Sequence, residues 1–320
     1  MSSSAKAKSR WRTGGGTVAL PLQKKGARFL RLATLSFRTD RGHGGLSRVV
    51  LARALSTAFG ARRVSADLVL AAGHSLASEP KPSTILEATD GVPVLLEVRE
   101  RPEGPARWVL FAKNLPGTKA VLREEQIVQQ IGSSTKAFGT LRSVLLGGKG
   151  HVVFEGTGVR AVLLICGENN ALNRKNLFSV FRGRPRSEVY AGSSGGGDPL
   201  LDESWLVLNP AHGAYGAIGT TRAGWGKVGS FIRKGRRYKP LLQQWTYPSG
   251  KPYRDGTRDP FAVLHCNNFT GDPRTIRLAS RLFTLGRSVH ANMPRHAGRS
   301  SEQDWVATVY NLPLPVAKGR

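Results

Sequence analysis

The sequence predicts an α/β protein with a mostly parallel sheet. The opening of the chain alternates a strand at Phe29–Phe37, a helix at Leu46–Phe59 that ends before Gly60, and a second strand at Ala66–Ala72. A strand, a helix and a second strand in this order form the unit that builds parallel sheets. The almost wholly apolar stretch Gly158–Asn169, GVRAVLLICGEN, is typical of a strand that is buried on both faces.

The composition is that of a globular protein, with 40% apolar residues in 320. We expect a flexible basic arm over residues 1–26 and a single domain over residues 27–315. The start of the chain lacks the apolar core of a signal peptide, and no apolar run approaches the roughly 18 residues of a membrane span. We therefore expect a cytoplasmic protein with reduced thiols and no membrane contact.

The formal net charge of +27 is the most unusual property of the composition. The segment Arg222–Arg258 is one of the two densest regions, with ten Lys and Arg against Asp255 alone. A field of this sign attracts polyanions such as nucleic acid. The segment is therefore a candidate polyanion-binding patch, although an Arg-rich proteome would give the same charge.

Further elements follow from local patterns. Residues Thr84–Glu87 predict a short helix, and Pro93–Val98 and Arg107–Lys113 predict two strands. Ser143–Leu146 and His151–Phe154 predict another pair of strands, separated by a GGKG turn. A further helix is expected at Val228–Arg233, and late strands are expected at Trp205–Leu208, Leu241–Trp245, Phe261–Asn267 and Trp305–Tyr310.

Cys166 lies at the carboxyl end of the buried strand, where open α/β folds hold their sites. Gly167 would relieve crowding in a sharp turn, and backbone N–H groups there could face an oxyanion. The alternative is a buried, inert thiol, because cysteine is among the most buried residue types. We expect no metal and no cofactor, since the set His265, Cys266, His290 and His296 lacks ligand spacing.

Four segments together resemble the carbon–nitrogen hydrolase (nitrilase/amidase) superfamily. They are the opening strand–helix–strand unit, GVRAVLLICGEN with its Cys-x-Glu, FAKNLPG at Phe111–Gly117, and WLVLNPAH at Trp205–His212. The resemblance implies a four-layer α–β–β–α sandwich and a Glu–Lys–Cys triad. It implies a small amide or nitrile as substrate and an oligomer of identical chains.

The resemblance assigns a role to each matching residue. Cys166 would be the nucleophile, Lys113 the lysine that stabilises the oxyanion, and Glu168 a residue that supports the site. Asn209 and His212 would line the substrate.

The glutamate base of the family has no counterpart at the end of the second strand, which runs into Gly73-His74. His74 is the candidate base at this position, and Glu79 follows five residues later. Lys119 is the alternative to Lys113, because Lys113 lies one residue nearer the Leu-Pro-Gly than in the amidases.

The sequence therefore supports three hypotheses. The first is a hydrolase in which a thiol attacks a non-peptide amide or nitrile through a thioester. The second is the same fold without activity, and the third is a basic nucleic-acid-binding protein in which the thiol is incidental.

Overall fold

The computed structural model describes fourteen stretches of the chain. They are residues 16–24, 26–37, 48–60, 65–71, 79–99, 106–128, 134–168, 204–210, 232–233, 237–238, 242–246, 261–266, 286–289 and 305–314. None of the helices in these stretches is long and apolar enough to cross a membrane.

The described residues form an α/β architecture with two large mixed sheets and one two-stranded antiparallel sheet. The helices are α1 (Arg48–Phe59), α2 (Pro82–Ala88) and α3 (Thr135–Leu146). The strands are β1 (Thr17–Leu20), β2 (Phe29–Phe37), β3 (Leu68–Ala71), β4 (Val94–Arg99), β5 (Ala106–Phe111), β6 (Lys119–Arg123), β7 (His151–Phe154), β8 (Val159–Leu163), β9 (Ser204–Pro210), β10 (Ile232–Arg233), β11 (Arg237–Tyr238), β12 (Leu242–Thr246), β13 (Phe261–Cys266), β14 (Gly286–Val289) and β15 (Trp305–Pro313). A 3₁₀ turn at Pro116–Thr118 joins β5 to β6.

The first sheet has the order β14-β15-β2-β3-β4-β5-β6 within the described residues. Strands β2, β3 and β4 are parallel, and α1 and α2 connect them in turn. Strand β5 is antiparallel to both β4 and β6, so β6 runs in the same direction as β4. The carboxyl ends of β2, β3, β4 and β6 therefore meet at one edge of this sheet.

The second sheet has the order β1-β7-β8-β9-β13-β12 among the described strands. Strands β8, β9 and β13 are parallel, with Leu163, Leu208 and Leu264 in register. The residues after β8, Asn209 near the end of β9 and Cys266 at the end of β13 consequently lie at the same edge of the second sheet.

Three apolar clusters hold the described elements together. One cluster joins the two sheets, with Leu32, Leu70 and Trp108 from the first and Leu163 and Leu206 from the second. Another packs α1 and α2 against the other face of the first sheet, and a third packs α3 against the second sheet. Since burial of apolar surface contributes about 25 cal/mol per Å², these clusters supply the main stabilisation of the fold.

Most predicted elements agree with the structure to within two residues, including the opening strand, helix and strand. Two predictions were wrong. The arm over residues 1–26 contains β1, which pairs in parallel with β7. Ser143–Leu146 is the last turn of α3 and not a strand. The Ser134 hydroxyl accepts a hydrogen bond from Ala137 N–H (3.2 Å) at the start of α3, and Gly147 caps its end.

The remaining predictions lie largely outside the described residues. The helix expected at Val228–Arg233 is described only at Ile232–Arg233, which is part of a short strand. Most of the basic segment Arg222–Arg258 is not among the described stretches, so polyanion binding through it stays a prediction.

Candidate functional site

Cys166 occupies a tight turn immediately beyond the end of β8. The Glu168 N–H donates to the Ile165 carbonyl oxygen at 3.0 Å and closes the turn over Cys166 and Gly167. Cys166 is half-buried and packs against the cluster between the sheets. Its φ angle is +47°, in the left-handed region. A non-glycine residue in this region costs roughly 1–2 kcal/mol, so the surrounding contacts must hold the conformation.

The carboxylate of Glu168 is the first of these contacts. Its Oε2 accepts a hydrogen bond from Ile165 N–H at 2.9 Å, and its Oε1 accepts one from Ile127 N–H at 2.7 Å. Glu168 is completely buried. The carboxylate therefore ties the turn around Cys166 both to itself and to the segment that follows β6.

The second contact is an ion pair between Glu168 and Arg123. The Arg123 Nη2 lies 2.8 Å from Glu168 Oε1, and both side chains are buried. The same guanidinium donates to the Leu163 carbonyl oxygen at 3.3 Å and to the Glu125 carbonyl oxygen at 3.2 Å. Because a buried charge is costly unless it is paired and hydrogen-bonded, this network compensates both ions.

Asn209 is the third contact. Its Nδ2 donates to the Cys166 carbonyl oxygen at 3.0 Å and also to the Leu164 carbonyl oxygen. Asn209 reaches them from β9, which runs parallel to β8. The structure places its amide on the backbone of the Cys166 turn, and the substrate-lining role expected from the sequence stays a prediction.

Lys113 lies at the edge of the first sheet opposite to the carboxyl ends of β2, β3, β4 and β6. It follows β5, whose last residue Phe111 pairs with Val94 at the start of β4. A Cβ at Gly91 would lie 2.4 Å from Lys113 Cε, so the lysine side chain covers the turn between α2 and β4. Arg123, which reaches the Cys166 turn, lies at the opposite end of β6, and four residues at about 3.3 Å each separate those ends by roughly 13 Å. The structure does not bring Lys113 and Cys166 together.

The alternative lysine, Lys119, lies at the start of β6 and pairs with Glu79. Its side chain is 45% exposed. Lys119 and Glu79, the two alternatives named from the sequence, are therefore engaged with each other near the surface, away from the Arg123 end of β6.

His74 and His212 lie outside the described residues, and their expected roles stay predictions. Cys266 is fully buried, and its thiol donates to the carbonyl oxygens of Leu70 (3.1 Å) and Leu35 (3.5 Å). Cys266 thus fits the description of an inert, structural thiol, in contrast to the half-buried Cys166. No group of three or more metal-ligating side chains occurs in the part of the chain that the structure describes.

The sequence patterns did not single out two buried charged residues, Arg123 and Glu97. Arg123 follows the weakly apolar KAVL of β6, and only its position at a strand end could have indicated a role. Glu97 lies in the apolar strand β4 and is 1% exposed. A carboxylate within PVLLEV was a visible signal, because strands in a core seldom carry an acid.

Comparison with solved structures finds a distant and partial similarity to an amidase of the nitrilase superfamily. A Cys-to-Ser mutant of the Nesterenkonia AN1 amidase aligns over 57% of this chain with 17% identity and a TM-score of 0.28. The amidase from Nesterenkonia sp. aligns over 58% of this chain, again with 17% identity, and a TM-score of 0.27. A mutant of that amidase in complex with butyramide gives 16% identity and a TM-score of 0.28.

The aligned part spans 65–66% of the amidase chains, which is less than two thirds of their length. No family model and no curated protein matches the chain. Similarity at this level assigns no residue a role, so the case for the site depends on the geometry around Cys166.

Proposed function

We propose that the chain is a carbon–nitrogen hydrolase that uses Cys166 to cleave a small, non-peptide amide or nitrile. We further propose that its two sheets and their covering helices form an α–β–β–α sandwich of the nitrilase type. The main support for this activity is the conformation of Cys166. A half-buried thiol at φ +47°, in a turn at the carboxyl end of a strand, is held there by Glu168 and Asn209.

The reaction follows from the chemistry of a thiol. The Cys166 Sγ forms a bond to the carbonyl carbon as its proton leaves to a base, giving a tetrahedral intermediate. The C–N bond then breaks, the nitrogen takes a proton, and a thioester remains. Water attacks the thioester, releases the acid and restores the thiol. A nitrile would first add the thiol across its triple bond and reach the same thioester after water adds and ammonia leaves.

The residues around the turn have positioning roles in this scheme. Glu168 accepts three hydrogen bonds from Arg123, Ile127 and Ile165, so both of its oxygens are engaged. Asn209 holds the carbonyl oxygens of the turn, which keeps the Cys166 backbone in its left-handed conformation. We assign no step to Lys113, because its side chain lies over Gly91.

A trapping experiment tests the proposed function. The full chain is incubated with a panel of small primary amides and nitriles, ammonia release is followed, and the Cys166 peptide is analysed by mass spectrometry for an acyl adduct. We expect ammonia release that disappears in Cys166→Ala, and an acyl group on Cys166 alone. Cys266→Ser is the matched control, since a hydroxyl can keep the hydrogen bonds of the buried thiol.

The result that would overturn the proposal is an unmodified Cys166 together with ammonia release equal to that of Cys166→Ala. In that case the fold would be an inactive hydrolase scaffold. A salt-dependent affinity for DNA or RNA, measured on the same preparation, would then favour the basic binding protein.

A further inference from the structure

The proposed reaction needs a base that takes the proton of the Cys166 thiol. A cysteine thiol is largely protonated at neutral pH and needs a neighbouring base or cation to act as a nucleophile. Glu168 and Arg123 neutralise each other, and both oxygens of Glu168 already accept hydrogen bonds. Lys113 lies at the opposite strand ends.

Glu97 lies on the face of β4 that points toward the second sheet. Its neighbours Leu96 and Val98 belong to the cluster that packs against the helices. Leu95 belongs instead to the cluster between the sheets. Because side chains alternate along a strand, Glu97 shares the inner face with Leu95. A carboxylate with 1% exposure in this layer is costly, and such carboxylates are concentrated at functional sites.

The register of the strands brings Glu97 level with the Cys166 turn. Glu97 pairs with Trp108 on β5, and Trp108 pairs with Arg123 on β6. Arg123 in turn binds Glu168, two residues after Cys166. The ion pair therefore places the turn at the height of Glu97 along the strands.

We infer from the stacking of the sheets that the turn lies over β4 and β5. Cys266 on β13 donates to the backbone of Leu35 and Leu70, so β13 covers β2 and β3. Strand β9, next to β13, contacts β3. Continuing the same order brings β8 over β4 and β5, and the bond from Arg123 to the Leu163 carbonyl oxygen draws the carboxyl end of β8 toward β5 and β6. Stacked sheets lie about 10 Å apart, a gap that two facing side chains span.

Trp108, directly opposite Glu97, provides an independent observation. Its indole belongs to the cluster between the sheets, and its Nε1 is buried without a hydrogen-bond partner among the described residues. A buried donor without an acceptor costs about 1–3 kcal/mol. An amide substrate bound between Cys166 and Glu97 carries a carbonyl oxygen that could accept this hydrogen bond.

We propose that Glu97 is the general base of Cys166, on a strand other than the one where the sequence resemblance would place the glutamate. This inference rests on the proposed function. The Glu97 carboxylate takes the thiol proton as the S–C bond forms and delivers it to the nitrogen as the C–N bond breaks. It then takes a proton from the water that attacks the thioester. Glu97 also makes a further interaction, so it is not a bare charge in the core.

The test is the acetylation of Cys166 by p-nitrophenyl acetate, measured on the full chain by peptide mass spectrometry at pH 4–9 in H₂O and D₂O. In the wild type we expect the rate to fall at low pH as one carboxyl group is protonated, and to be slower in D₂O. In Glu97→Gln the rate should fall at least about tenfold at neutral pH and lose the solvent isotope effect, since a general base contributes roughly 10²–10⁴-fold. Glu124→Gln is the matched control, because Glu124 is an exposed acid beside Arg123, and it should stay within about twofold of the wild type.

The other outcomes separate the two proposals. A nearby negative charge that was only electrostatic would suppress the thiolate, so a faster Glu97→Gln would overturn the base assignment. An unchanged rate in Glu97→Gln would also overturn the base assignment. So would a solvent isotope effect that is lost in His74→Asn but kept in Glu97→Gln. A wild-type Cys166 no more reactive than a free thiol would sink the proposed function itself. If Glu97→Gln fails to fold, Glu97→Asp replaces it as the test variant. It keeps the negative charge but holds the carboxylate one methylene further back, so it should give an intermediate rate. The solvent isotope effect of the wild type is measured separately.

Discussion

Arg123 and Glu168 form a buried ion pair, with 2.8 Å between Nη2 and Oε1, that links the end of β6 to the turn of Cys166. The pair joins the two sheets at the edge where the carboxyl ends of their parallel strands meet. Arg123 spans from one sheet to the other, since it also donates to the Leu163 carbonyl oxygen at the end of β8. The position of Cys166 therefore depends on how the two sheets are held together.

We expect Arg123→Met to destabilise the protein strongly. Loss of the guanidinium leaves the fully buried Glu168 carboxylate without its cation, which typically lowers the free energy of unfolding by about 3–5 kcal/mol. Urea unfolding measures this change. The matched control is Lys119→Met, which breaks the exposed pair with Glu79 and should cost no more than about 1 kcal/mol. Equal losses in the two variants would contradict the role given to the buried pair.

We expect Cys166→Gly to be at least as stable as Cys166→Ala. At φ +47° glycine avoids the clash of a Cβ, whereas alanine retains it. The usual order, in which glycine is the less stable, should hold at Cys266 within β13, where the strand is extended. Chemical denaturation of the four variants gives the comparison. A Cys166→Gly less stable than Cys166→Ala would mean that the left-handed conformation is not what the turn adopts.

We expect Asn209→Asp to loosen the turn of Cys166. The substitution replaces the donating amide with a carboxylate that faces the carbonyl oxygens of Leu164 and Cys166. A buried acceptor set against two acceptors should lower the free energy of unfolding by roughly 1–3 kcal/mol and slow the acetylation of Cys166. Asn114→Asp is the control, because Asn114 is exposed and its amide donates to the Ala19 carbonyl oxygen, away from the Cys166 turn. That control should leave the acetylation rate unchanged.

We expect Lys113→Ala to leave the reactivity of Cys166 within about twofold of the wild type. The lysine side chain lies over Gly91, beside the start of β4. The Cys166 turn lies instead at the carboxyl end of β8, where Arg123 reaches it from the end of β6. The rate of alkylation by iodoacetamide against pH measures the effect. A slower reaction, with a profile displaced to higher pH in Lys113→Ala, would instead support the lysine that the sequence resemblance implied.

The stability of the protein should fall between pH 6.5 and about pH 3 because of His151. Burial, together with the positive charge of Arg160, lowers the pKa of His151 from 6.5 to about 3. In this range the unfolded chain binds a proton at His151 that the folded chain does not, so the free energy of unfolding decreases as the pH falls. One proton contributes at most about 1.4 kcal/mol per pH unit. Urea unfolding of His151→Gln should show a shallower pH dependence, and an unchanged slope would contradict this assignment.

Local sequence patterns were sufficient to predict a strand or a helix where one hydrophobic period dominates. The strand before Cys166, the opening strand–helix–strand unit and the strand that ends in Asn209-Pro210 are short apolar runs with clear boundaries, and each is present. The run Ser143–Leu146 was ambiguous, because one polar residue followed by three apolar residues fits a strand as well as the last turn of a helix. The Ser134 cap and Gly147 were the signals that favour the helix.

The sequence by itself determined that this is an α/β chain with a Cys-x-Glu turn after a buried strand. Only the tertiary structure decided which charges surround that turn. Strand β5 reverses the chain, so Lys113 lies at the far edge while Arg123, ten residues later, reaches Glu168. The proposed position of Glu97 opposite Cys166 likewise depends on the stacking of the two sheets. Such neighbours are set by strand order and direction, which depend on contacts distant in sequence that local patterns do not encode.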